Sequence, residues 1–295
     1  MFKGSNVALV TPFKDNKLDE ESYIKLINFH LENGTHGLVP AGTTGESPTL
    51  SHKEHEKVIE LCINEAKGKI PVIAGTGSNS TEEAINLTKH AEKAGADGAL
   101  VVTPYYNKPT QEGLYQHYKA INDNCGIPII VYNIPGRSVI DVSVDTMARM
   151  FELKNIAGVK DATGILERVD QHKNKMGPEF IQLTGEDGLA FEYNKRGGVG
   201  CISVTANIAP KLCSEMQSLS TSRDQNKISQ AEKIDNSLQP LHKSLFIESN
   251  PSPVKYAAKL LNLCDDAVRL PLVKIMDTTK QEVEKALKIA KLINE

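Results

Sequence analysis

Short apolar runs recur along the chain and alternate with segments in which apolar residues return at a helical period. Each run has four to six residues and offers apolar side chains to both faces, which is typical of strands in a parallel sheet covered by helices. The runs lie at residues 7–10, 37–40, 71–74, 98–102, 128–132, 156–159, 180–183 and 199–204. Eight strands that alternate with helices predict an α/β fold, a closed (β/α)8 TIM barrel.

The segments between these runs carry signals for the start of a helix. Ser51 with Glu54, and Ser80 with Glu83, have the spacing of a capping box, in which the two side chains satisfy free backbone amides of the first turn. An open doubly wound sheet would accommodate the same alternation of strands and helices. The first strand is not followed by the Gly-x-Gly-x-x-Gly turn of a dinucleotide-binding fold, so the barrel is favoured.

The last quarter of the chain has a different organisation. From about Gln225 the alternation stops and helical patterns take over. We therefore expect a barrel over residues 1–224 and a C-terminal helical appendage over residues 225–295. Within the appendage, Asn250-Pro251-Ser252-Pro253 is typical of a helix entrance, because proline is tolerated in the first turn.

Composition narrows the classes of function. Of 295 residues, 34 are basic and 37 acidic, which gives a net charge of −3 and no basic block suited to nucleic acid or an anionic membrane. No apolar run approaches the ~20 residues that span a bilayer, and the first residues lack the apolar region of a signal peptide. Five cysteines without a Cys-x-x-Cys pair fit reduced thiols. We expect a cytoplasmic protein that acts on small molecules.

Reactive and polar residues follow the predicted strands, and the active sites of (β/α)8 barrels lie at the carboxyl ends of their strands. Lys160 is the most informative of them, because residues 156–162 otherwise have the pattern of a short buried strand. Desolvation of an unpaired lysine favours the neutral amine, which can attack a carbonyl. Alternatively, a lysine at the end of a strand keeps its head in water. Tyr132, one strand away, either passes protons to the reacting atoms or simply packs in the core.

Other candidates have equally open interpretations. The loop from Gly42 to Ser47 could offer backbone amides to an anion, or could be a tight connection. Arg137 has the fork that binds carboxylates, although a loop arginine is often a surface group. Tyr105 and Tyr106 could be interface aromatics. His52 and His55 are three residues apart, but without a third ligand nearby they do not predict a metal site.

Four motifs, taken together in this order and spacing, resemble the dihydrodipicolinate synthase family over essentially the whole chain. They are residues 42–47 (Gly-Thr-Thr-Gly-Glu-Ser), 132–137 (Tyr-Asn-Ile-Pro-Gly-Arg), 159–164 (Val-Lys-Asp-Ala-Thr-Gly) and 250–255 (Asn-Pro-Ser-Pro-Val-Lys). The resemblance implies a lyase that forms an imine between Lys160 and pyruvate. The derived enamine then attacks L-aspartate 4-semialdehyde, and ring closure gives 4-hydroxy-tetrahydrodipicolinate, an early step of diaminopimelate and lysine biosynthesis. It implies no metal and no organic cofactor.

The resemblance also implies roles for individual residues. Tyr132, Thr43 and Tyr106 resemble a proton relay, with Tyr106 reaching in from a neighbouring subunit of a homotetramer built as a dimer of dimers. Four positions resemble the substrate-binding set: Thr44, Arg137, Gly185 and the backbone at Ile202. Six resemble a site at which L-lysine inhibits some members: Ser47, His52, His55, Asn79, Glu83 and Tyr105.

The sequence departs from the family pattern at three places, and three rival functions are open to it. Pro48 replaces a frequent alanine of lysine-sensitive members, and Glu186 replaces a frequent aspartate at a position that we expect not to affect the chemistry. The late segment 270–274 is less apolar than usual in the family. A related N-acetylneuraminate or keto-sugar acid lyase is the closest rival, and Thr43 and Arg137 disfavour it. A metal-dependent aldolase and a non-catalytic ligand sensor are the remaining alternatives.

Overall fold

The computed structural model describes residues 1–294 and contains an eight-stranded parallel sheet with a separate two-stranded hairpin. The strands are Gly4–Ala8 (β1), Phe13–Lys14 (β2), Lys17–Leu18 (β3), Gly37–Val39 (β4), Ile73–Gly75 (β5), Gly98–Val102 (β6), Ile129–Asn133 (β7), Ile156–Asp161 (β8), Ile181–Thr184 (β9) and Gly200–Ser203 (β10). Strands β2 and β3 form the antiparallel hairpin. Each of the eight predicted runs contains or overlaps a strand of the large sheet.

The large sheet closes into a barrel. Its order is β4-β1-β10-β9-β8-β7-β6-β5, and a parallel bridge between Leu38 and Val72 joins the two ends. The prediction of a TIM barrel is therefore confirmed, and the open doubly wound alternative is wrong.

Helices surround the barrel. They are Glu20–Glu32 (α1), His52–Ala66 (α2), Thr81–Ala94 (α3), Gln111–Asn124 (α4), Pro135–Ser138 (α5), Val144–Phe151 (α6), Glu167–Met176 (α7), Ala190–Lys195 (α8), Pro210–Ser220 (α9), Gln225–Ser244 (α10), Ser252–Leu260 (α11) and Asp277–Ile289 (α12).

The strands are apolar on both faces because each face meets a different apolar layer. In β6, Leu100 points into the barrel with Ile130, whereas Val101 points outward and packs with Leu114 and Tyr118 of α4. Successive side chains of a strand alternate between its faces, which separates these two layers. The inner layer also includes Tyr132 of β7, and this places its ring inside the barrel.

The capping boxes predicted from spacing have different outcomes. The box of Ser51 and Glu54 is complete at the start of α2. At α3, the Ser80 hydroxyl accepts a bond from the Glu83 amide, but the Ser80 amide donates to the Ser78 hydroxyl at 3.0 Å. The Glu83 carboxylate bonds Ser78 and His52 instead, so the prediction that it caps this helix is wrong.

The helices of the C-terminal region pack against the side of the barrel. Leu238 and Leu241 of α10 and Val254 of α11 share one apolar core with Val7 and Leu9 at the first strand. Helix α11 begins at Ser252, directly after Pro251, as the motif predicts. The boundary at residue 224 stays a prediction, because helices on both sides of it contribute to this core. Glu295, the last residue of the predicted appendage, lies outside the described residues.

Two findings concern the predicted reduced cysteines and the predicted lack of membrane-spanning segments. All five cysteines are free, and four of them are buried. Within residues 1–294, no helix combines the length and the apolar character needed to cross a bilayer. The cytoplasmic location stays a prediction.

Candidate active site

Lys160 and Tyr132 face each other across the adjacent strands β8 and β7. They are direct register partners, and the Lys160 Nζ atom lies 4.0 Å from the centroid of the Tyr132 ring. Both side chains are buried, each with 6% exposure. Among residues 1–294 no carboxylate forms an ion pair with Lys160, whereas the other buried lysine, Lys255, is paired with Glu46. Lys160 is thus a buried amine held on an aromatic face.

Gly185, at the end of the neighbouring strand, leaves room for the Lys160 side chain. Its amide donates to the Asp161 carbonyl at 2.7 Å, which holds the end of β9 against β8. A Cβ atom at this position would lie 3.0 Å from Lys160 Cε and 2.8 Å from Ala162 Cβ. Any larger residue would therefore push against the lysine stem. Ile202, the other predicted backbone contact, is buried inside the barrel on β10.

Glu186, directly after Gly185, carries a half-buried carboxyl group. Burial raises the pKa of its carboxyl above the ordinary value, and the neighbouring Asp187 charge raises it further. The Lys160 charge acts on the same carboxyl in the opposite direction. That Glu186 does not affect the chemistry stays a prediction.

The loop from Gly42 to Ser47 is a compact turn held by internal and tertiary hydrogen bonds. The Glu46 amide donates to the Thr43 carbonyl at 3.1 Å, and the Thr11 hydroxyl donates to the Gly45 carbonyl at 2.7 Å. Thr44 is buried, and its hydroxyl accepts a bond from Asn250 Nδ2 at 3.0 Å. Sequence reasoning did not anticipate this contact, which joins two of the four motifs.

A cavity of about 430 Å³ opens at the carboxyl ends of the barrel strands. Thr43, Tyr132 and Arg137 line it, so the structure brings together three residues predicted from two of the motifs. Lys160 contacts the ring of Tyr132, which is one of the lining residues. Arg137 is exposed on the short helix α5 and also borders a second cleft beside Asn250. The arrangement can hold a small carbonyl compound between a buried amine and an exposed cation.

Five of the six predicted effector residues line the same cavity: Ser47, His52, His55, Glu83 and Tyr105. His52 Nε2 lies 2.9 Å from Glu83 Oε1. The Ser78 hydrogen bond, followed by the His52 contact, lowers the pKa of the Glu83 carboxyl. Burial lowers the pKa of His55 to about 4. Within the described chain no group of three or more His, Cys, Asp and Glu side chains is placed to hold a metal ion.

The sixth predicted effector residue, Asn79, braces the loop that carries Tyr106. Asn79 Nδ2 donates to the Tyr105 carbonyl at 3.2 Å, and Asn107 Nδ2 donates to the Asn79 carbonyl at 2.8 Å. Tyr106 has a φ of +73°, is 89% exposed and does not line the cavity of its own chain. Of the four residues predicted to be catalytic, Tyr106 is the only exposed one.

Comparison with known proteins decides the family. The model of the dihydrodipicolinate synthetase family matches residues 1–290. The chain belongs to this family. The 4-hydroxy-tetrahydrodipicolinate synthase of Pelagibacter ubique is 73% identical over 293 residues, which cover 99% of this chain and 100% of the relative. That of Bradyrhizobium diazoefficiens is 60% identical and covers 99% and 98%.

Solved structures of the dihydrodipicolinate synthetase family have the same fold. The chloride-inhibited dihydrodipicolinate synthase of Acinetobacter baumannii, complexed with pyruvate, has a TM-score of 0.96 at 48% identity and covers 99% of this chain and 100% of that chain. The enzyme of Cyanidioschyzon merolae with lysine bound has a TM-score of 0.95 at 36% identity and covers 99% of both. The predicted family, and with it the predicted class of enzyme, a lyase, are confirmed.

Three residues that contact the candidate site from behind were not predicted as part of it. Asn250 and Lys255 belong to a recognised motif, but their contacts to Thr44 and Glu46 cross more than 200 residues of sequence. Arg168 of α7 carries no motif and is buried behind the Lys160 strand. Such long-range contacts leave no local pattern by which the sequence could have indicated them.

Proposed function

We propose that this chain is a 4-hydroxy-tetrahydrodipicolinate synthase, which condenses pyruvate with L-aspartate 4-semialdehyde on Lys160 in diaminopimelate and lysine biosynthesis. The observation that carries the proposal is the buried Lys160 amine, with no carboxylate partner in residues 1–294, on the face of Tyr132, whose side chain lines a cavity of about 430 Å³. Family membership supports the choice of substrates.

In the proposed reaction, Lys160 Nζ attacks the keto carbon of pyruvate and water leaves, which gives an imine. Loss of a proton from the pyruvate methyl group gives an enamine, whose carbon attacks the aldehyde of the semialdehyde. The amino group of the semialdehyde then displaces Lys160 and closes the ring, so the free lysine is regenerated. The protonated imine is the electron sink of this scheme, so no metal or organic cofactor takes part in it.

The proton transfers of this scheme need hydroxyl groups close to Nζ. The Tyr132 ring contacts Nζ, and Thr43 lines the same cavity, so we assign both to the relay. Thr44, the backbone at Ile202 and the space left by Gly185 would hold pyruvate. Arg137, whose fork suits a carboxylate, would hold the semialdehyde.

Tyr106 completes the proposed relay only from a neighbouring subunit. Its exposed position and its left-handed backbone, braced by Asn79, support a role outside its own barrel. We therefore propose a homotetramer built as a dimer of dimers. Sedimentation velocity together with a turnover assay of the wild type and of Tyr106→Phe would test this. The variant should keep the assembly and lose turnover. A monomer with full activity would contradict it.

L-Lysine is the proposed effector, at the cavity wall formed by Ser47, His52, His55, Glu83 and Tyr105 with Asn79 behind it. Pro48 lines this wall as well and replaces the alanine common in lysine-sensitive members. Titration of lysine into the assay tests the site. Inhibition that Glu83→Gln weakens would support it, and an unchanged rate at millimolar lysine would refute it.

Borohydride reduction in the presence of pyruvate tests the main proposal. We expect a pyruvate adduct on Lys160 by peptide mass mapping, turnover of aspartate semialdehyde by the unreduced enzyme, and neither with Lys160→Ala. An adduct without that turnover would move the assignment to an N-acetylneuraminate or keto-sugar acid lyase. The absence of any adduct on the wild type would refute the imine mechanism.

A further inference from the structure

A second pair of side chains lies directly behind the candidate catalytic pair. Asn133 follows Tyr132 on β7, Asp161 follows Lys160 on β8, and the two are also register partners. Because side chains of a strand alternate between its faces, Asn133 and Asp161 point to the outer side of the barrel wall when Tyr132 and Lys160 point inward. Contacts that hold the outer pair in place therefore also hold the strand ends that carry the inner pair.

Arg168 of α7 connects this outer pair. Its Nε donates to Asp161 Oδ2 at 3.0 Å, its Nη1 to Asp141 Oδ2 at 3.0 Å and its Nη2 to the Val142 carbonyl at 2.7 Å. Asp141 Oδ1 in turn accepts from Asn133 Nδ2 at 2.6 Å, and the Val142 amide donates to Asn133 Oδ1 at 3.1 Å. One guanidinium group thus joins the ends of β7 and β8 through the segment that follows α5.

The connection extends to the third strand at the site. The Asp161 carbonyl accepts the Gly185 amide at 2.7 Å, and the Asn133 carbonyl accepts the Ala162 amide at 2.9 Å. Gly185 is the residue whose missing side chain makes room for Lys160. The Arg168 network therefore holds the residues immediately after Lys160 and Tyr132 and the glycine beside the lysine stem.

Three of the four side chains of this network are buried. Arg168 and Asp161 are 6% and 3% exposed, and Asn133 is fully buried. A buried guanidinium needs acceptors for its donors, and its planar fork fixes their relative positions in a way that a flexible ammonium does not. Three acceptors on two chain segments satisfy Arg168 here. Lysine at this position could not reach all three at once.

We infer that Arg168 is a positioning residue of the reaction, which keeps Lys160 Nζ and the Tyr132 hydroxyl in the geometry needed for imine formation. The inference rests on the proposed function, because it assigns the chemistry to these two residues. Arg168 acts only through the strand ends and lies on the outer side of the wall, so it does not touch substrate. A displacement of about 1 Å at a reacting group can cost on the order of 100-fold in rate.

Single-turnover trapping of pyruvate on Lys160 tests the inference with Arg168→Met, Arg168→Lys and Arg196→Met. Arg196 is the matched control, because like Arg168 it pairs with two carboxylates, but at the surface. Its partners are Glu167 and Asp170 of α7. At a temperature at which all variants are folded, we expect Arg168→Met to trap pyruvate and to turn over roughly 10- to 100-fold more slowly. Arg168→Lys should remain impaired, because it restores the charge without the fork. Arg196→Met should match the wild type.

The outcomes separate the two proposals. If the wild type forms no adduct, the proposed function fails and this inference fails with it. If the wild type and a folded Arg168→Met trap pyruvate at the same rate, only the positioning role is overturned. Should Arg168→Met not fold, Asp141→Ala decides, since its side chain is 45% exposed and its loss leaves the bond to Asp161 intact. Slower trapping by Asp141→Ala supports the inference, and an unchanged rate overturns it.

Discussion

The Lys255 ammonium on α11 and the Glu46 carboxylate in the Gly42–Ser47 loop form an ion pair from which solvent is excluded, with both side chains fully buried. Lys255 also donates to the Ala267 carbonyl at 2.7 Å, and Glu46 accepts the Arg269 amide at 3.0 Å. Glu46 has a φ of +55°, a left-handed conformation that its buried contacts hold in place. The C-terminal region therefore fixes the loop that carries Thr43 and Thr44.

Breaking this ion pair should destabilise the fold strongly. Lys255→Met leaves the Glu46 carboxylate buried without a counter-charge, and such a loss costs about 3–5 kcal/mol of unfolding free energy. The double variant Glu46→Gln with Lys255→Met should recover part of this loss, because neither charge is then buried. Urea unfolding measures both.

Lys259→Met on the same helix is the control for that experiment. Lys259 is 46% exposed and pairs with Asp265 at the surface, and such pairs are worth about 0–1 kcal/mol. Its other partner, the buried Asp266, keeps Lys274 as a second counter-charge when Lys259 is removed. Equal losses of unfolding free energy for Lys255→Met and Lys259→Met would show that burial of the Glu46 pair has no special role.

Removing the Tyr132 hydroxyl should separate catalysis from packing. Tyr132→Phe keeps the ring against Lys160 but removes the proposed proton donor and acceptor, so kcat should fall by about 10²- to 10⁴-fold. Tyr118→Phe is the control, because that hydroxyl donates to the Val101 carbonyl at 2.8 Å away from the cavity. Steady-state kinetics should show unchanged kcat for the Tyr118 variant. A full kcat for Tyr132→Phe would remove Tyr132 from the relay.

A methyl group at Gly185 should interfere with the lysine stem. In Gly185→Ala the new Cβ would lie 3.0 Å from Lys160 Cε and 2.8 Å from Ala162 Cβ. We expect slower trapping of pyruvate and a loss of about 1–3 kcal/mol from overpacking. Gly188→Ala is the control, since its Cβ would meet Gln239 Oε1 at an ordinary 3.5 Å. Similar trapping rates in both variants would show that the Gly185 position tolerates a side chain.

Features that depend on neighbouring residues could be predicted from the sequence. The barrel followed from eight runs that are apolar on both faces, and Lys160 was noticeable because a cation interrupts one of them. The box of Ser51 and Glu54 formed as its spacing predicts, since the Glu54 carboxylate accepts the Ser51 amide at 2.9 Å while it also binds Arg269. At Glu83 the same spacing misled, because His52 and Ser78 approach its carboxylate from outside the helix.

Features that depend on distant residues could not be predicted. Glu46 and Lys255 are 209 positions apart, and each alone has the pattern of an ordinary surface charge. Arg168 follows the Lys160 motif by only a few positions, yet its acceptors at Asp141 and Val142 come from another loop. Tyr106 was placed in the site only by resemblance, and the exposed ring of the single chain agrees with a role that its own sequence neighbourhood does not encode.

Acid should destabilise the protein through its buried histidines, of which His30 is the clearest case. Burial lowers the pKa of His30 to about 3, compared with an ordinary 6.5. Between these values the unfolded chain binds a proton that the folded chain excludes, so the unfolding free energy falls as the pH falls from 6.5 towards 3. One such group contributes a slope of up to about 1.4 kcal/mol per pH unit. His117, whose pKa burial lowers to about 4, acts in the same direction.

His30→Gln tests the contribution of this one group. The variant should be less stable at neutral pH, but its unfolding free energy should fall less steeply between pH 6 and pH 4. The difference in slope should correspond to at most about one proton fewer taken up on unfolding. Thr35→Val is the matched control: Thr35 Oγ1 lies 3.0 Å from His30 Nδ1, so the variant removes the contact but retains the titrating ring. Urea unfolding across this pH range should give Thr35→Val the wild-type slope. Parallel pH profiles for the wild type and His30→Gln would show that His30 keeps the same protonation in the folded and unfolded chains.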